Sequence, residues 1–357
     1  MKNNILVLGG DGYFGWSLGL ALAKRTNNNV ILVDNLIKRI WEKQVSAKPL
    51  FPYKNPKDRI LEYTRIYGKK NLFFEKLDLL EYDSIVKIIK KYNPSVIVNA
   101  AQQPSAPFSM ISSKNAGATF CNNILGHLNV VWAIAEVNRD VSYIKLGSAG
   151  VYCGVNTDFY PLKRVDLNFK YNKRNHKVLN TWLPMHATDF YHQSKIADFL
   201  ISDLVAETWG LKMATVQQST IFGSGINENI KPEHHTLSSR FNYDAVFGTV
   251  LNRFVCQLAI KEPLTVYGDG KQETSLISLS DTVDVFLNLI ETNLIRGNHE
   301  IVHNQTIKMS INEVALLVGS LSKNAHINYI KNPRKEKKRV TKKQNRGSSC
   351  HNRVTQK

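Results

Sequence analysis

At 357 residues and 43% hydrophobic, the chain is long enough to bury a large core, in one large or two fused domains. No apolar run approaches the roughly 18 residues needed to span a membrane, and Ile5-Leu6-Val7-Leu8, with Asp11 close behind, is too short for a signal-peptide core. The net charge of +18 is uneven: residues 331–357 carry +10 and the remainder +8, with no nucleic-acid-binding motif beside it, so nucleic acid is not an expected partner.

The four cysteines, Cys121, Cys153, Cys256 and Cys350, show neither paired nor metal-type spacing. This pattern suits a reducing compartment, so a cytoplasmic enzyme without a metal is expected.

Asn4 to Leu8 reads as a buried parallel strand, followed by Gly9-Gly10-Asp11-Gly12-Tyr13-Phe14-Gly15 and a helix to about Arg25. Glycines at 9, 12 and 15 permit a tight turn, close approach of backbone N–H groups to a pyrophosphate, and close helix–strand packing. A second strand, Val30 to Val33, ends in Asp34, followed by Asn35. A carboxylate there accepts hydrogen bonds from an adenosine ribose diol and repels a 2′-phosphate, which predicts NAD rather than NADP.

Residues 37–70 exceed a normal crossover and carry Pro49, Pro52 and Pro56, as expected of a lid or a surface excursion. A third strand over Leu72–Leu77 leads to Asp78-Leu79, expected beside the adenine. A fourth, Ser95–Val98, leads to Asn99-Ala100-Ala101, where small residues let a cofactor approach. The loop carrying Gln103, Pro104 and Ser105 then falls at the carboxyl end of the sheet, where open α/β folds bind ligands. A long helix with Asn122 and Asn123 follows, and then a strand over Tyr143–Leu146 reaching Ser148.

Residues 153–188 form a basic excursion, read as a solvated hairpin or as the border of an anionic-substrate site. Beyond it lies Phe190-Tyr191-His192-Gln193-Ser194-Lys195. A Tyr four residues before a Lys is one helical turn away, so both side chains reach one point. The ammonium there favours the phenolate, and Tyr191 becomes a general base near neutral pH with the Ser148 hydroxyl as partner. A sixth strand, Ala214–Gln218, closes this region. Past 220, a helix around Val246–Ile260, a strand at Leu264–Tyr267 and amphipathic helices at Asp281–Ile290 and Ile311–Leu321 predict a smaller substrate-gripping domain.

The chain resembles the extended short-chain dehydrogenase/reductase family, and within it the UDP-sulfoquinovose synthases. The residues that carry the likeness include Gly9 to Tyr13, Asp34-Asn35-Leu36, Ser105-Ala106-Pro107, Lys145-Leu146-Gly147, Phe190-Tyr191-His192, Asn242 to Phe254, Pro263 to Gly268 and Asn332-Pro333-Arg334. The resemblance implies a doubly wound Rossmann-type α/β fold with bound NAD over residues 1–219, a smaller nucleotide-sugar-binding α/β domain interleaved with it over 220–336, and a homodimer. It also implies a UDP-sugar substrate that is transiently oxidised at carbon 4, loses water across carbons 5 and 6, and accepts sulfite at carbon 6. Carried over, Tyr191 is the base at the 4-hydroxyl, Lys195 holds the nicotinamide ribose, Ser148 stands in a threonine's place, and His192 is a second proton carrier. Cofactor contacts fall on Gly9, Asp11, Gly12, Tyr13, Phe14, Gly15, Asp34, Asn35, Asp78, Leu79, Asn99, Ala100, Ala101, Asn123, Tyr191 and Lys195; substrate contacts fall on Gln103, Ser105, Gln218, Arg253, Gln272 and Arg334.

Three departures qualify the likeness. Pro104 and Thr274 stand where the family has arginines, and Ser148-Ala149-Gly150-Val151-Tyr152 is closer to sugar 4-epimerases. Arginine is suited to bidentate phosphate recognition, so Arg253 and Arg334, with Gln272, are the remaining expected diphosphate clamp. A 4-epimerase or 4,6-dehydratase on another sugar, and an NAD-binding scaffold without turnover, stay open as rival readings. Residues 337–357 are polar, basic and poor in apolar groups, and are expected to be disordered. They read as an aberrant reading-frame end or a native binding tail, and the abrupt end of the likeness favours the former.

Overall fold

The computed structural model describes residues 3–51, 53–152, 163–183, 185–304 and 307–333. Its first strand, β1 (Asn4–Leu8), is buried on both faces. Ile5 and Val7 point into one hydrophobic cluster and Leu6 and Leu8 into another. This period-2 division explains the near-continuous apolar run: a parallel strand with helices on both sides has no wet face.

The chain continues through α1 (Tyr13–Arg25), β2 (Asn29–Asp34), α2 (Ile37–Gln44), α3 (Pro56–Tyr67), β3 (Leu72–Lys76), α4 (Tyr82–Tyr92) and β4 (Val96–Asn99). After them come α5 (Ala106–Ser109), α6 (Ser113–Phe120), a π-helical turn at Cys121–Leu125, α7 (Gly126–Val137) and β5 (Ser142–Leu146). An antiparallel hairpin, β6 (Lys163–Tyr171) and β7 (Arg174–Leu183), precedes α8 (Phe190–Trp209), β8 (Lys212–Gln218) and β9 (Thr220–Phe222). The remainder is α9 (Val250–Ala259), β10 (Leu264–Tyr267), β11 (Glu273–Ser278), α10 (Leu279–Glu291), β12 (His299–Asn304), β13 (Ile307–Ser310), α11 (Ile311–Gly319) and β14 (Ile327–Ile330).

Seven parallel strands form the main sheet in the order β12-β8-β5-β4-β1-β2-β3. The order reverses between β1 and β4, so their following loops diverge and leave a crevice at the carboxyl ends. The fold is therefore the α/β, doubly wound, Rossmann-type architecture. Its seventh strand comes from far along the chain: β12 pairs with β8 from His299↔Met213 to Asn304↔Gln218. Helix α10 likewise buries Leu279, Val283 and Phe286 in the cluster around α1.

A smaller lobe gathers the short sheets β13-β11-β9 and β10-β14 with α9 and α11, around Phe254, Leu264, Val266, Leu276, Ile311 and Val314. Trp16 of α1 bridges towards the segment before it, its Nε1 donating to the Leu237 carbonyl at 2.8 Å. The 37–70 stretch is a packed wall of two helices. Helix α3 starts where the Asn55 side chain accepts from the Asp58 N–H at 3.0 Å, with Pro56 in its first turn. Its Arg59 is fully buried and donates to the Ser238 carbonyl at 2.8 Å. Among the described residues, no helix is long and apolar enough to cross a membrane.

Candidate active site

A cavity of about 1310 Å³ opens over the switch point between β1 and β4 and reaches the smaller lobe. Its floor is the β1–α1 turn. Gly9 has φ +83°, and a Cβ there would lie 2.7 Å from the Ala100 backbone. A Cβ on Gly15 would lie 2.2 Å from the Gly9 carbonyl oxygen. Neither position accepts a side chain, and their bareness leaves a backbone cradle beneath the cavity.

At the end of β2, Asp34 faces the same cavity. Its Oδ2 accepts from the Asp11 N–H at 3.0 Å and its Oδ1 from the Leu36 N–H at 2.6 Å. Burial, followed by the negative charge of Asp11, pushes its carboxyl up to about 6, against those two N–H donors and Arg240. Asn35 donates to Asp78 Oδ2 at 3.0 Å, which fixes the β2 and β3 loop ends side by side. Tyr13, Phe14, Leu79, Ala100 and Ala101 complete this half of the lining. A carboxylate at the end of β2, a glycine cradle and small residues after β4 fit the adenosine diphosphate portion of NAD.

On the opposite wall, β5 delivers Ser148 and α8 delivers Tyr191 and His192. The Gly150 N–H donates to Ser148 Oγ at 3.0 Å, which leaves the hydroxyl hydrogen for a ligand. The Tyr191 N–H donates to Ser109 Oγ at 3.1 Å, anchoring the start of the helix. Lys195 lies behind Tyr191 with its Nζ donating to the Leu146 carbonyl at 2.9 Å and near Asp198 Oδ2 at 3.3 Å. Burial, and to a smaller extent the charge of Lys145, push its ammonium down to about 7, against the pull of Asp198.

Asp189 caps α8, accepting from the His192 N–H at 2.9 Å through Oδ1. Its other oxygen lies 2.6 Å from His192 Nδ1. Burial pushes this carboxyl up, but the His192 hydrogen bond and charge outweigh it and hold the group below the ordinary carboxylate range. The opposite edge of the imidazole abuts Gly150, where a Cβ would come within 2.2 Å of Nε2. The carboxylate thus orients the ring so that the ring edge bearing Nε2 lies at the cavity wall. Asp189 was missed from sequence, although an Asp before an amphipathic run is a recognisable cap.

Several expected site residues stand behind the lining. Asn123, in the π-helical turn, accepts from the Gln103 N–H at 2.7 Å and donates to Ser194 Oγ at 2.9 Å. Gln103 is fully buried and donates to the Ser105 carbonyl and to Thr119 Oγ1, both at 2.9 Å. Ser105 caps α5, and its hydroxyl donates to the Val246 carbonyl at 2.5 Å. Asn99 donates to the Tyr143 hydroxyl at 2.7 Å. These groups shape the loops rather than face the cavity.

Gln218 and Gln272 do line it. Arg253 does not: its Nη2 donates to the Thr265 carbonyl at 3.0 Å and its guanidinium lies 3.9 Å from the Tyr267 ring centre. Arg334 and the 337–357 tail lie outside the described residues.

Among the described residues, the lysines and arginines that line the cavity are Lys38, Arg240 and Lys308, none of them singled out from sequence. Arg240 is buried, its Nη2 donating to Asp11 Oδ2 at 2.8 Å and its Nη1 to Glu42. Arg39 also grips Asp11, with Nε donating to Oδ2 at 2.8 Å. Nothing local marks Arg240: it precedes a recognisable run and reaches the glycine loop only through the tertiary fold.

A Rossmann sheet whose cavity joins a glycine-floored nucleotide cradle to a wall bearing Ser148 and Tyr191, with Lys195 behind it, defines an NAD-dependent enzyme of the dehydrogenase type. The chain belongs to the NAD dependent epimerase/dehydratase family, which matches residues 5–302. It is 32% identical to the chloroplastic UDP-sulfoquinovose synthase of Spinacia oleracea, over 94% of this chain and 68% of that one. Against the UDP-sulfoquinovose synthase of Sulfolobus acidocaldarius it is 33% identical, over 93% of this chain and 83% of that one. Among solved structures, it resembles the UDP-glucuronic acid 4-epimerase of Bacillus cereus in complex with UDP-glucuronic acid and NAD. The TM-score is 0.64 at 18% identity, covering 92% of this chain and 86% of the other, which supports the fold.

Proposed function

We propose that the protein binds a UDP-sugar across the two lobes and carries out a UDP-sulfoquinovose synthase-type reaction, with UDP-glucose and sulfite as substrates. The observation that supports it most is the convergence of Ser148, Tyr191 and His192 on one cavity wall opposite the glycine cradle. NAD, when bound, supplies a hydride acceptor and donor beside that wall. Tyr191 withdraws the proton of the sugar 4-hydroxyl, and Ser148 donates to the same oxygen. Lys195, one helical turn behind, favours the phenolate. His192, held by Asp189, carries a second proton at the sugar, with the dyad keeping the imidazole in one tautomer.

The lost arginines favour a second reading, a 4-epimerase or 4,6-dehydratase acting on another nucleotide sugar. Pro104 and Thr274 both line the cavity where guanidiniums were expected. Purified protein given UDP-glucose with and without sulfite, and products identified by mass, separates the two. A sulfonated sugar nucleotide supports the first reading; an unsulfonated isomer or dehydrated product supports the second.

We further propose a homodimer and a cytoplasmic location. Support for the dimer comes from an exposed apolar face on α7 and α8, with Leu128, Trp132, Leu200 and Leu204 all more than a third exposed. The location rests on a cysteine pattern without pairing or metal spacing.

A further inference from the structure

We propose that Lys145, which does not reach the cavity, keeps the positive charge of Lys195 effective at Tyr191 by neutralising Asp198. The inference rests on Tyr191 being the base of the reaction.

A single carboxylate oxygen, Asp198 Oδ2, lies 3.3 Å from Lys195 Nζ and 3.2 Å from Lys145 Nζ. All three side chains are about 1% exposed, and the two lysines are among the largest fully buried side chains of the described residues. A lysine in the middle of the buried strand β5 is costly unless a charge answers it. Asp198 is that charge, but it already faces Lys195 from the next turn of α8.

Charge counting gives the consequence. Asp198 and Lys195 alone form a neutral pair, whose field at Tyr191 is that of a weak dipole. With Lys195 protonated, adding Lys145 brings the cluster to a net charge of one and favours a phenolate, although the same charge also pushes the Lys195 ammonium down.

The neighbouring groups do not offset it. His127 of α7 is pushed down to about 3 by burial and then by Lys145, so it is neutral. Its Nδ1 meets the Tyr143 hydroxyl at 2.8 Å and its Nε2 meets Ser202 Oγ at 3.2 Å. Burial pushes the Tyr143 phenol of β5 well above its ordinary range, so it too is neutral. His299 of β12 is engaged with Asp203 further along α8, at 3.3 Å, and His192 with Asp189. Lys114 of α6 and Cys121 of the π-turn are exposed to solvent.

The test reads the titration of Tyr191 directly. Phenolate absorbance is followed against pH in the protein and in each variant, and the same curve with Tyr191→Phe is subtracted, with no sugar present. Lys145→Met is expected to move the Tyr191 midpoint up by about one pH unit. Lys145→Met combined with Asp198→Asn removes one charge of each sign, and is expected to return the midpoint to its original place. An unmoved midpoint in Lys145→Met, or a double variant no closer to the parent, overturns the proposal. Should Lys145→Met not fold, Asp198→Asn alone decides: losing the negative charge is expected to lower the Tyr191 midpoint, and an unmoved or raised midpoint sinks the idea. Because the readout needs no turnover, a protein inactive towards UDP-glucose still tests it.

Discussion

Arg240 donates to Asp11 at 2.8 Å across 229 positions of chain, joining the segment before the smaller lobe to the glycine loop. Arg39 and the fully buried Arg59 approach the same carboxylate, Arg59 at 3.6 Å. Replacing Arg240 by Met leaves Glu42 facing Lys38 at 3.9 Å and weakens the hold on Asp11. Breaking a buried ion pair from one side costs about 3–5 kcal/mol. The thermal midpoint should fall clearly, and co-purifying NAD should fall with it. A variant with the parent's midpoint would mean that the network is energetically idle.

In the proposed reading, Asp34 governs cofactor choice through its charge. Asp34→Ala removes both the ribose acceptor and the repulsion of a 2′-phosphate, so the ratio of NADP to NAD dissociation constants should shrink. Titration calorimetry with both cofactors measures it, and a parent protein preferring NADP would refute the assignment.

The same carboxyl gives a pH dependence. Its ionisation in the ligand-free protein lies at about 6, above the ordinary value. A ribose diol donates to the charged form, so bound NAD favours loss of the proton. Falling pH therefore works against binding: affinity is flat above about 7 and weakens by up to about tenfold per unit below 6. Asp34→Asn should flatten this profile. Binding that strengthens on acidification would reverse the sign and remove Asp34 from the contact.

Tyr191→Phe preserves the ring and deletes the proposed base. Turnover should drop by about 10² to 10⁴ while NAD and sugar affinities change little. His192→Ala should also lower turnover, and Asp189→Ala should follow it partway while costing about 1 kcal/mol of stability through the lost cap. An Asp189→Ala variant that loses stability but keeps full turnover and pH profile would confine the residue to capping.

Trp132 and Trp209 meet edge-on with ring centres 4.7 Å apart at the apolar face of α7 and α8. Trp132→Glu together with Leu204→Glu should convert a dimer into monomers, as read by light scattering after size exclusion. A parent already monomeric would dismiss the pairing.

How much of this was legible in sequence follows the range of each interaction. The β1–glycine–α1 opening and the Asp34 position are local, and their residues announce them through spacing. The Tyr191–Lys195 helix is equally local. Orientation is not: Gln103 and Ser105 occupy a ligand-side loop, yet Gln103 satisfies that loop's own backbone and Ser105 ties the loop to the distant Val246 carbonyl. Arg253 sits in a recognisable run and turns toward Tyr267 instead of the cavity. Arg240 and Lys38 depend on contacts from distant segments, which no window of sequence contains. The π-helical turn at Cys121–Leu125, which swings Asn123 under the Gln103 loop, leaves no periodicity to read in a helix otherwise continuous.

The pairing of β12 with β8 has a consequence for how the molecule comes into being. A ribosome must finish about 300 residues before the sheet's last partner emerges, so β8 waits with an open hydrogen-bonding edge and α1 waits without its α10 cover. Such an edge invites another chain to pair with it. Nascent copies are therefore most vulnerable to aggregation during synthesis of the smaller lobe, and a fragment ending near residue 219 would carry that vulnerability permanently.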